Sequence, residues 1–392
     1  MKNDFTNSFI LYSLDLPIIK DYESLSNSIG ISKTMLYLLS KKTYLFYNSF
    51  DIYKKNGTKR EINSPNYSLK LVQRWILAEI LEKIKVSDES MAFQKGIGNG
   101  SKVNAEHHRY SLYLLQLDIK DFFTSIKRER VFYLFKSLGY NSLVSNTLTN
   151  LSTYNGYLPQ GGACSPYISN LICYKLDKRL KGLCSKRDIL YTRYADDLTF
   201  SCDNKMVLRK VKNLIQDIII DEGFTLNSSK TRLLSPSSHK MVTGITVNDN
   251  RIKASKQMKR KVRAMIHNAL VSGDYSKKNI IKGYVSYIDS IEQGYIEKIK
   301  NYINRLIKKE EYIFYSDIVE SFNENKIFND INEMIFEVNQ FRGITNESEW
   351  ESIEVERFQF LLARNYIDLA EPPDEESYKQ IASSKEEDDF NF

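Results

Sequence analysis

The protein has 392 residues, of which 42% are apolar and 12% aromatic, with 16 glycines and 7 prolines. This composition excludes a wholly disordered or fibrous chain and allows a large core spread over two or three domains. The net charge of +7 conceals an asymmetry: residues 1–310 hold 50 basic and 28 acidic side chains, a net +22, whereas residues 311–392 hold 6 basic and 21 acidic ones, a net −15. A basic body of this kind indicates a polyanionic partner.

The sequence also predicts where the protein resides. No apolar run approaches the ~18 residues of a membrane helix, and charges flank the short apolar run at the N-terminus. The four cysteines are spaced 9, 11 and 18 residues apart, which fits neither a zinc site nor the disulfide framework of a small secreted domain. We therefore expect a soluble cytoplasmic protein with reduced thiols and no membrane partner.

Short helices are predicted for the first forty residues. A helix-turn-helix fits their pattern, although an ordinary pair of packed helices fits it better. Residues 54–62 form two strand-like runs around Asn56-Gly57, which predicts a very basic β-hairpin. An amphipathic helix is predicted for residues 68–85. The glycine-rich residues 96–100 are predicted to be a flexible loop, because they lack the Lys-Ser/Thr of a phosphate-binding loop.

The middle of the chain predicts an informative order of strands and helices. One strand is followed by two helices, two strands, a third helix and two short extended segments: Ser111–Ile119, Arg128–Leu138, Ser165 to about Lys181, Ile189–Tyr194, Leu198–Cys202, Met206–Asp221, Phe224–Leu226 and Thr231–Leu234. The order β-α-β-β-α-β, with extra helical material after the first strand, is the split βαβ arrangement.

Basic helices dominate the segment that follows. A hairpin is predicted over residues 241–254, and then three basic amphipathic helices over Ser255–Val271, Lys277–Ser290 and Gly294–Lys309. Residues 311–370 are acidic and aromatic and are predicted to be helical. Residues 371–392 are predicted to be a disordered tail.

Three carboxylates are predicted to meet at one edge of the split βαβ sheet. Its first and third strands lie side by side and antiparallel, so Asp118 at the end of one strand abuts Asp196-Asp197 in the turn before another. An isolated Asp-Asp pair is usually a solvated turn, but here a third aspartate joins it on a basic protein. Carboxylates this close resist joint ionisation unless cations neutralise them, and hard divalent cations are the usual solution. Two Mg²⁺ ions ~3.5–4 Å apart support nucleotidyl transfer.

Three motifs in the right order carry a family resemblance. Leu117-Asp118-Ile119-Lys120-Asp121-Phe122-Phe123, Leu158-Pro159-Gln160-Gly161-Gly162-Ala163-Cys164-Ser165-Pro166 and Tyr194-Ala195-Asp196-Asp197 resemble the polymerase palm of reverse transcriptases. The resemblance implies an α+β, right-hand polymerase with fingers, palm and helical thumb, plus a small acidic C-terminal extension. The implied divisions are an N-terminal helical segment, fingers, palm with a fingers-like insertion, thumb, acidic extension and tail, at residues 1–50, 51–110, 111–240, 241–310, 311–370 and 371–392.

The resemblance implies a role for each matching position. Asp118, Asp196 and Asp197 match the catalytic metal-binding aspartates, with the Ile119 carbonyl as an additional ligand and Mg²⁺, or alternatively Mn²⁺, as the ions. Phe123 matches a bulky gate beneath the sugar that favours dNTPs over rNTPs. The alternative is that Phe122 and Phe123 are both core residues, and periodicity predicts that one of them is buried in either case. Four further residues match nucleotide-binding positions, with surface lysine or arginine as the alternative for the basic ones: Lys59, Arg60, Gln160 and Lys230.

Two further signatures narrow the resemblance to retron reverse transcriptases. They are Asn104-Ala105-Glu106-His107-His108, just before the first central strand, and Val242-Thr243-Gly244, just before the basic helices. Such an enzyme copies a cognate structured noncoding RNA of the msr–msd type. It primes from a guanosine 2′-OH to give branched msDNA with a 2′,5′ bond, and it acts in antiphage defence with an effector protein.

The same resemblance and the basic helices give a set of expected RNA contacts. They are Asn104, His108, Val242, Thr243, Gly244, Lys256, Lys259, Arg260 and Arg263. A solvated helix face is the alternative for the basic residues, and bracing of a loop fits Asn104 and His108 equally well. Other readings of the whole chain are a group II intron-like or defence-associated reverse transcriptase, and a ribonucleoprotein scaffold. The acidic extension is predicted either to dock on the thumb or an effector, or to be a solubilising tail.

Overall fold

We describe the fold from a computed structural model, which defines residues 4–307 apart from 54–56, 58, 97, 273 and 275. The predictions of a helical extension over 311–370 and a disordered tail over 371–392 lie outside the described residues. Within the described part of the chain, no helix has the length and apolar character to cross a membrane.

Three short helices and a hairpin open the chain: α1 Ser8–Ser13, α2 Tyr22–Ile29, α3 Lys33–Lys41, β1 Tyr47–Tyr53 and β2 Lys59–Pro65. Side-chain caps start the helices, since Asp21 and Ser32 accept from the backbone N–H groups of Ser24 and Met35. The strands pair antiparallel up to Tyr53 opposite Lys59. The predicted helices and the presence of a hairpin are confirmed, but its first strand, Tyr47–Tyr53, lies before the predicted residues 54–62.

The next stretch alternates helices with the strands of a central sheet. Its elements are α4 Tyr67–Ile76, α5 Ser101–His107, β3 Tyr113–Asp118, α6 Phe122–Ser125, α7 Arg128–Ser137, α8 Ser142–Ser152, α9 Ser165–Ile172, α10 Tyr174–Ser185, β4 Leu190–Tyr194, β5 Asp197–Cys202, α11 Lys205–Asp221 and β6 Arg232–Leu234. The strand order is β4-β5-β3-β6, with antiparallel neighbours throughout. This is the split βαβ topology, so the α+β prediction is confirmed.

Two helix predictions in this stretch need correction. The helix predicted over 68–85 is α-helical only to Ile76 and continues as a π-helical turn, Leu77–Leu81. The single helix predicted from Ser165 to Lys181 is two helices that meet at Cys173. The junction lets both helices bury apolar side chains, as Ile168 before it and Leu176 after it are 0% exposed. Helix α8 was not predicted, because its residues are mostly Ser, Thr and Asn.

A C-terminal module follows the central sheet. It consists of β7 Met241–Val242, β8 Ile245–Asn248, β9 Arg251–Ala254, α12 Lys256–Ser272, α13 Lys278–Ile291 and α14 Tyr295–Ile307. The three strands form one antiparallel sheet rather than a single hairpin, because a tight turn at Thr243 and Gly244, with φ of +48° and +80°, adds β7. The module has its own apolar core, to which Ala105 and Leu114 also belong. The three predicted basic helices are confirmed.

Candidate active site

The three aspartates meet at one edge of the central sheet. Asp118 ends β3 and lies directly opposite Asp197, the first residue of β5. The turn between β4 and β5 needs a left-handed residue, Ala195, with φ of +57°. The Ile119 N–H donates to the Asp196 carbonyl at 2.9 Å and so fastens the end of β3 to this turn. The predicted convergence of strand ends is confirmed.

Electrostatic crowding marks these carboxylates. Burial raises the pKa of Asp196, and Asp118 raises it further. For Asp197, loss of solvation and then the charges of Asp196 and Asp118 raise the pKa to about 6. The Lys230 ammonium donates to Asp118 Oδ2 at 2.6 Å, which raises the pKa of Lys230. The site therefore holds excess negative charge that a cation relieves.

An oxygen-rich, negatively charged donor set is what Mg²⁺ or Mn²⁺ prefers. As positioned, however, no three acidic, histidine or cysteine side chains among the described residues form a group ready to hold a metal ion. The salt bridge from Lys230 occupies an oxygen of Asp118. The chemistry of the three carboxylates fits a divalent ion, although Lys230 engages one of their oxygens.

A buried ionic network supports the strand that leads into the turn. Arg193 and Asp177 are both 0% exposed and form two parallel hydrogen bonds, of 2.8 and 2.7 Å. Burial alone would lower the pKa of Arg193, but the Asp177 carboxylate outweighs it and the pKa is raised. Arg193 also donates to the Ala195 carbonyl at 3.3 Å, and Tyr191 donates to Asp177 at 2.8 Å. Sequence reasoning missed this network, although an arginine inside a buried strand beside Asp196-Asp197 was a signal.

The loop that carries Gln160 is fixed against the basic hairpin. The Asn63 N–H donates to the Gln160 carbonyl at 2.8 Å. A Cβ at Gly161 would lie 2.7 Å from the Asn63 carbonyl oxygen, so only glycine permits this approach. The buried Gln73, which sequence reasoning also missed, accepts from the Ala163 N–H at 2.8 Å. Gln160 itself is half-buried.

Two of the predicted nucleotide-binding residues, Lys59 and Arg60, lie at the start of β2. Lys59 forms an exposed salt bridge with Asp51 across the hairpin, at 3.0 Å. Arg60 is exposed, and its positive charge acts to lower the pKa of Asp196. The charge of Arg60 thus acts on one of the three aspartates, Asp196.

Phe122 and Phe123 have different surroundings. Phe122 is 4% exposed and stacks on Phe224 in the core, with ring centroids 6.0 Å apart. Phe123 is half-buried, between Phe122 at 5.4 Å and Phe93 at 6.2 Å. Burial of one ring is therefore confirmed, and the other remains accessible for the predicted gate.

Three of the expected RNA contacts are buried in the protein. Asn104, His108 and Val242 are 1%, 0% and 0% exposed. Asn104 accepts from the Thr192 hydroxyl at 2.5 Å, and the two ring nitrogens of His108 lie 2.7 Å from the hydroxyls of Thr192 and Ser201. This placement contradicts direct RNA contact by these three side chains. It supports the alternative that Asn104 and His108 brace the fold.

The turn at Thr243 and Gly244 lines a cavity of about 450 Å³ beside the aspartates. The other residues that line it are Ser101, Gln116, Leu117, Asp118, Tyr194, Asp197, Leu198, Thr199, Lys230, Arg232 and Met241. The predicted signatures around Asn104 and around Thr243 thus lie together, since the Thr243 hydroxyl donates to the Ser101 carbonyl at 2.8 Å. Sequence reasoning had not placed Gln116 or Arg232 at the site.

The basic residues of α12 differ in their availability. Lys256, Arg260 and Arg263 are exposed. Lys259 is half-buried and forms a salt bridge of 2.6 Å with Glu292. The guanidinium of Arg263 lies 5.6 Å from the ring centroid of Tyr302. Three of the four basic side chains of α12 that are predicted to contact RNA therefore face solvent.

Comparison with known proteins identifies the family. Residues 52–269 match the family model described as reverse transcriptase (RNA-dependent DNA polymerase). The retron Ec86 reverse transcriptase of Escherichia coli is 36% identical over 310 residues, which cover 78% of this chain and 95% of that protein. The chain belongs to the retron reverse transcriptases. The retron Mx65 reverse transcriptase of Myxococcus xanthus is 31% identical over 307 residues, which cover 72% of this chain and 71% of that protein.

The protein is accordingly an RNA-directed DNA polymerase, which joins dNTPs on an RNA template, and enzymes of this family use divalent metal ions. The predicted family and activity are confirmed. A telomerase structure from Candida albicans aligns with 86% of this chain and 65% of its own, with a TM-score of 0.45 and 13% identity, which is too distant to carry a conclusion.

Proposed function

We propose that the protein reverse-transcribes one structured noncoding RNA of the msr–msd type, priming from a guanosine 2′-OH to make branched, 2′,5′-linked msDNA. The observation that carries this proposal is the position of the two signature segments. Thr243 of the second signature and Ser101, three residues before the first signature, line the same cavity as Asp118 and Asp197. A branch nucleotide bound there would present its 2′-OH to the carboxylates.

The catalytic groups are Asp118, Asp196 and Asp197, which would hold two Mg²⁺ ions together with the Ile119 carbonyl. When bound, these ions activate the attacking hydroxyl and stabilise the leaving pyrophosphate. Lys230 would first release Asp118, and its ammonium is then available as a general acid toward the pyrophosphate.

The incoming dNTP would contact the residues around the carboxylates. Lys59 and Arg60 of the hairpin would grip its triphosphate, and Gln160 would contact the nucleotide and its template partner. Phe123 would exclude a 2′-OH from the sugar site. Support comes from the hydrogen bond between the Gln160 loop and the hairpin, and from the charge of Arg60 acting on Asp196.

In this proposal the molecule has the right-hand architecture. Residues 1–50 form an N-terminal helical segment, 51–110 the fingers, 111–240 the palm with a fingers-like insertion, and 241–310 the thumb. The thumb corresponds to the C-terminal module, whose exposed Lys256, Arg260 and Arg263 would contact RNA phosphates. Thr243 and Gly244 would contact RNA from the cavity.

The acidic residues 311–392 suit a protein partner better than RNA. Their net charge of −15 would repel a nucleic acid and attract a basic surface. We assign them to docking of an effector protein in cytoplasmic antiphage defence. If a chain truncated after residue 310 still associates with the effector, this assignment fails.

The decisive experiment is extraction of nucleic acid from the full-length protein expressed with its neighbouring noncoding RNA. DNA that survives ribonuclease but stays joined to one ribonucleotide is the expected result. Linear, unlinked DNA would contradict retron-type priming and favour another class of prokaryotic reverse transcriptase. If the double substitution Asp196→Asn and Asp197→Asn removes DNA synthesis but leaves defence intact, the protein acts chiefly as a scaffold.

A further inference from the structure

Helix α5 packs in the apolar core of the C-terminal module and is hydrogen-bonded to the central sheet. Ala105 is 0% exposed and packs in the core of the C-terminal module with Val242 and Ile245. Asn104 and His108, on the same short segment, reach the central sheet instead. One helical segment therefore joins the module to the sheet that carries the carboxylates.

The first turn of α5 is hydrogen-bonded to two parts of the C-terminal module. The Thr243 hydroxyl, in the turn between β7 and β8, donates to the Ser101 carbonyl at 2.8 Å. The Ser101 hydroxyl lies 2.9 Å from the phenol oxygen of Tyr287 on α13. A shift of α13 would therefore act on Ser101 directly.

The other end of α5 binds β4, the strand that enters the catalytic turn. Thr192 donates its one hydroxyl hydrogen to Asn104, so it must accept from the Nε2–H of His108. The His108 Nδ1 is then left to accept from the Ser201 hydroxyl at 2.7 Å. Burial lowers the pKa of His108 to about 3, so the ring is neutral and keeps this pattern at physiological pH.

Strand β4 is held on both faces just before the aspartates. Tyr191 and Arg193 point to Asp177 on one face, and Thr192 points to α5 on the other. Tyr194 follows on the face of Thr192. Burial raises the pKa of Tyr194, and nearby Tyr287 of α13 raises it further. Thr192 of β4 thus meets α5, and Tyr194 lies near α13 of the C-terminal module.

We propose that α5 is a strut that couples the position of the C-terminal module to the geometry of the catalytic turn. Ser101 and Tyr287 are its positioning residues on the module side, and Thr192 is the positioning residue on the sheet. When nucleic acid draws α13 into place, the strut sets β4 and the aspartates that follow it. The inference rests on the proposed catalytic role of Asp118, Asp196 and Asp197.

The test removes one hydroxyl from the full-length protein. Tyr287→Phe breaks the link to Ser101, whereas the matched control Tyr284→Phe removes a hydroxyl of the same helix that accepts from Lys261 within the module, at 2.7 Å. Single-nucleotide addition to an annealed primer–template is measured with Mg²⁺ and dNTPs. We expect kcat of Tyr287→Phe to fall about 3–10-fold, the worth of one hydrogen bond. The KM for dNTP and the Kd for primer–template stay within about twofold, as do all three constants of Tyr284→Phe.

A double-mutant cycle tests transmission along the strut. Thr192→Val removes the sheet contact, and Thr192→Ser, which keeps a hydroxyl, should restore kcat. Independent substitutions normally have additive effects on free energy, so their fold-losses in kcat multiply. If Tyr287→Phe and Thr192→Val interrupt the same strut, the double variant should lose clearly less kcat than the product of the two single losses. Melting temperatures show whether Thr192→Val folds. If it does not fold, the contrast between Tyr287→Phe and Tyr284→Phe still decides.

Three results would overturn the strut: an unchanged kcat for Tyr287→Phe, a change confined to the Kd for primer–template, or effects of Tyr287→Phe and Thr192→Val that multiply independently. A separate control concerns the proposed function. If Asp196→Asn remains active, the assignment of the aspartates fails, whatever the result at Tyr287.

Discussion

Charged side chains behind the catalytic turn and those on the basic surfaces are held in opposite ways. Asp177 and Arg193 are fully buried, and each charged atom of the pair has a partner. Lys59 and its partner Asp51 have side chains that are 60% and 40% exposed. Water screens the exposed pair but not the buried one. The buried pair therefore fixes the geometry of the backbone behind the catalytic turn, whereas the exposed charges remain free to bind a ligand.

The largest expected effect is on the three catalytic carboxylates. They are crowded together, and the salt bridge of Lys230 with Asp118 offsets only part of their negative charge. Asp197→Asn should lower DNA synthesis about 10²–10³-fold or more, since it removes a group that acts on the transition state. It should not lower the melting temperature at pH 7.5. A carboxyl whose folded pKa is raised to about 6 loses its stabilising contribution as pH rises through that value. At pH 7.5 the ionised Asp197 therefore destabilises the folded state.

Primer extension and thermal melting check this prediction together. The matched control is Asp217→Asn on the exposed face of α11, which should change neither quantity. A clear loss of stability in Asp197→Asn would mean that the carboxylate is structural.

The buried pair should show the next largest effect, on stability. Arg193→Met leaves the Asp177 charge buried without its partner, which costs about 3–5 kcal/mol of unfolding free energy. The comparison variant Lys33→Met breaks an exposed pair with Glu23 and should cost about 0–1 kcal/mol. Denaturant unfolding measures both. Equal costs would remove the distinction between geometry-fixing and surface charge.

Phe123 is half-buried beside the catalytic aspartates, so its exposure is intermediate between that of the buried charged pair and that of the exposed one. If its ring excludes a 2′-OH, Phe123→Ala should reduce discrimination between dNTPs and rNTPs by about 10–100-fold. The ratio of kcat/KM for dGTP and GTP on one template measures the change. Phe93→Ala is the matched control, because it removes the neighbouring ring. An unchanged ratio for Phe123→Ala would leave that ring as packing alone.

The smallest effect per residue is expected on the basic surface of α12. Replacing Lys256, Arg260 and Arg263 by Gln should weaken RNA binding. The plot of log affinity against log salt has a negative slope, and its magnitude should decrease by about 2–3. Replacing Lys33, Lys41 and Lys70, which are also exposed, removes the same charge elsewhere and should leave the slope unchanged. Salt titrations of both variants compare a specific surface with overall charge. Equal slopes would show that α12 makes no phosphate contacts.

The sequence by itself determined the order of elements and the meeting of the carboxylates. Both follow from local rules: the apolar periods of the strands and helices predict β3 to β6, and the split βαβ topology then brings Asp118 opposite Asp197. The family motifs are likewise contiguous in the chain. Local patterns fail where polar residues form a helix, as in α8, where a helix is interrupted, as at Cys173, and where a tight turn adds a strand, as at Thr243.

Only the tertiary structure decided which polar residues are buried and hold the fold together through hydrogen bonds. Asn104 meets Thr192 from 88 positions away and His108 meets Ser201 from 93, and no local pattern encodes such partners. Burial of a residue depends on which distant parts of the chain pack against it. His108, predicted from the sequence to contact RNA, is therefore buried and hydrogen-bonds to two strands of the sheet. For the same reason Arg193, one of many basic residues in the sequence, is held wholly inside the protein, beneath the catalytic turn.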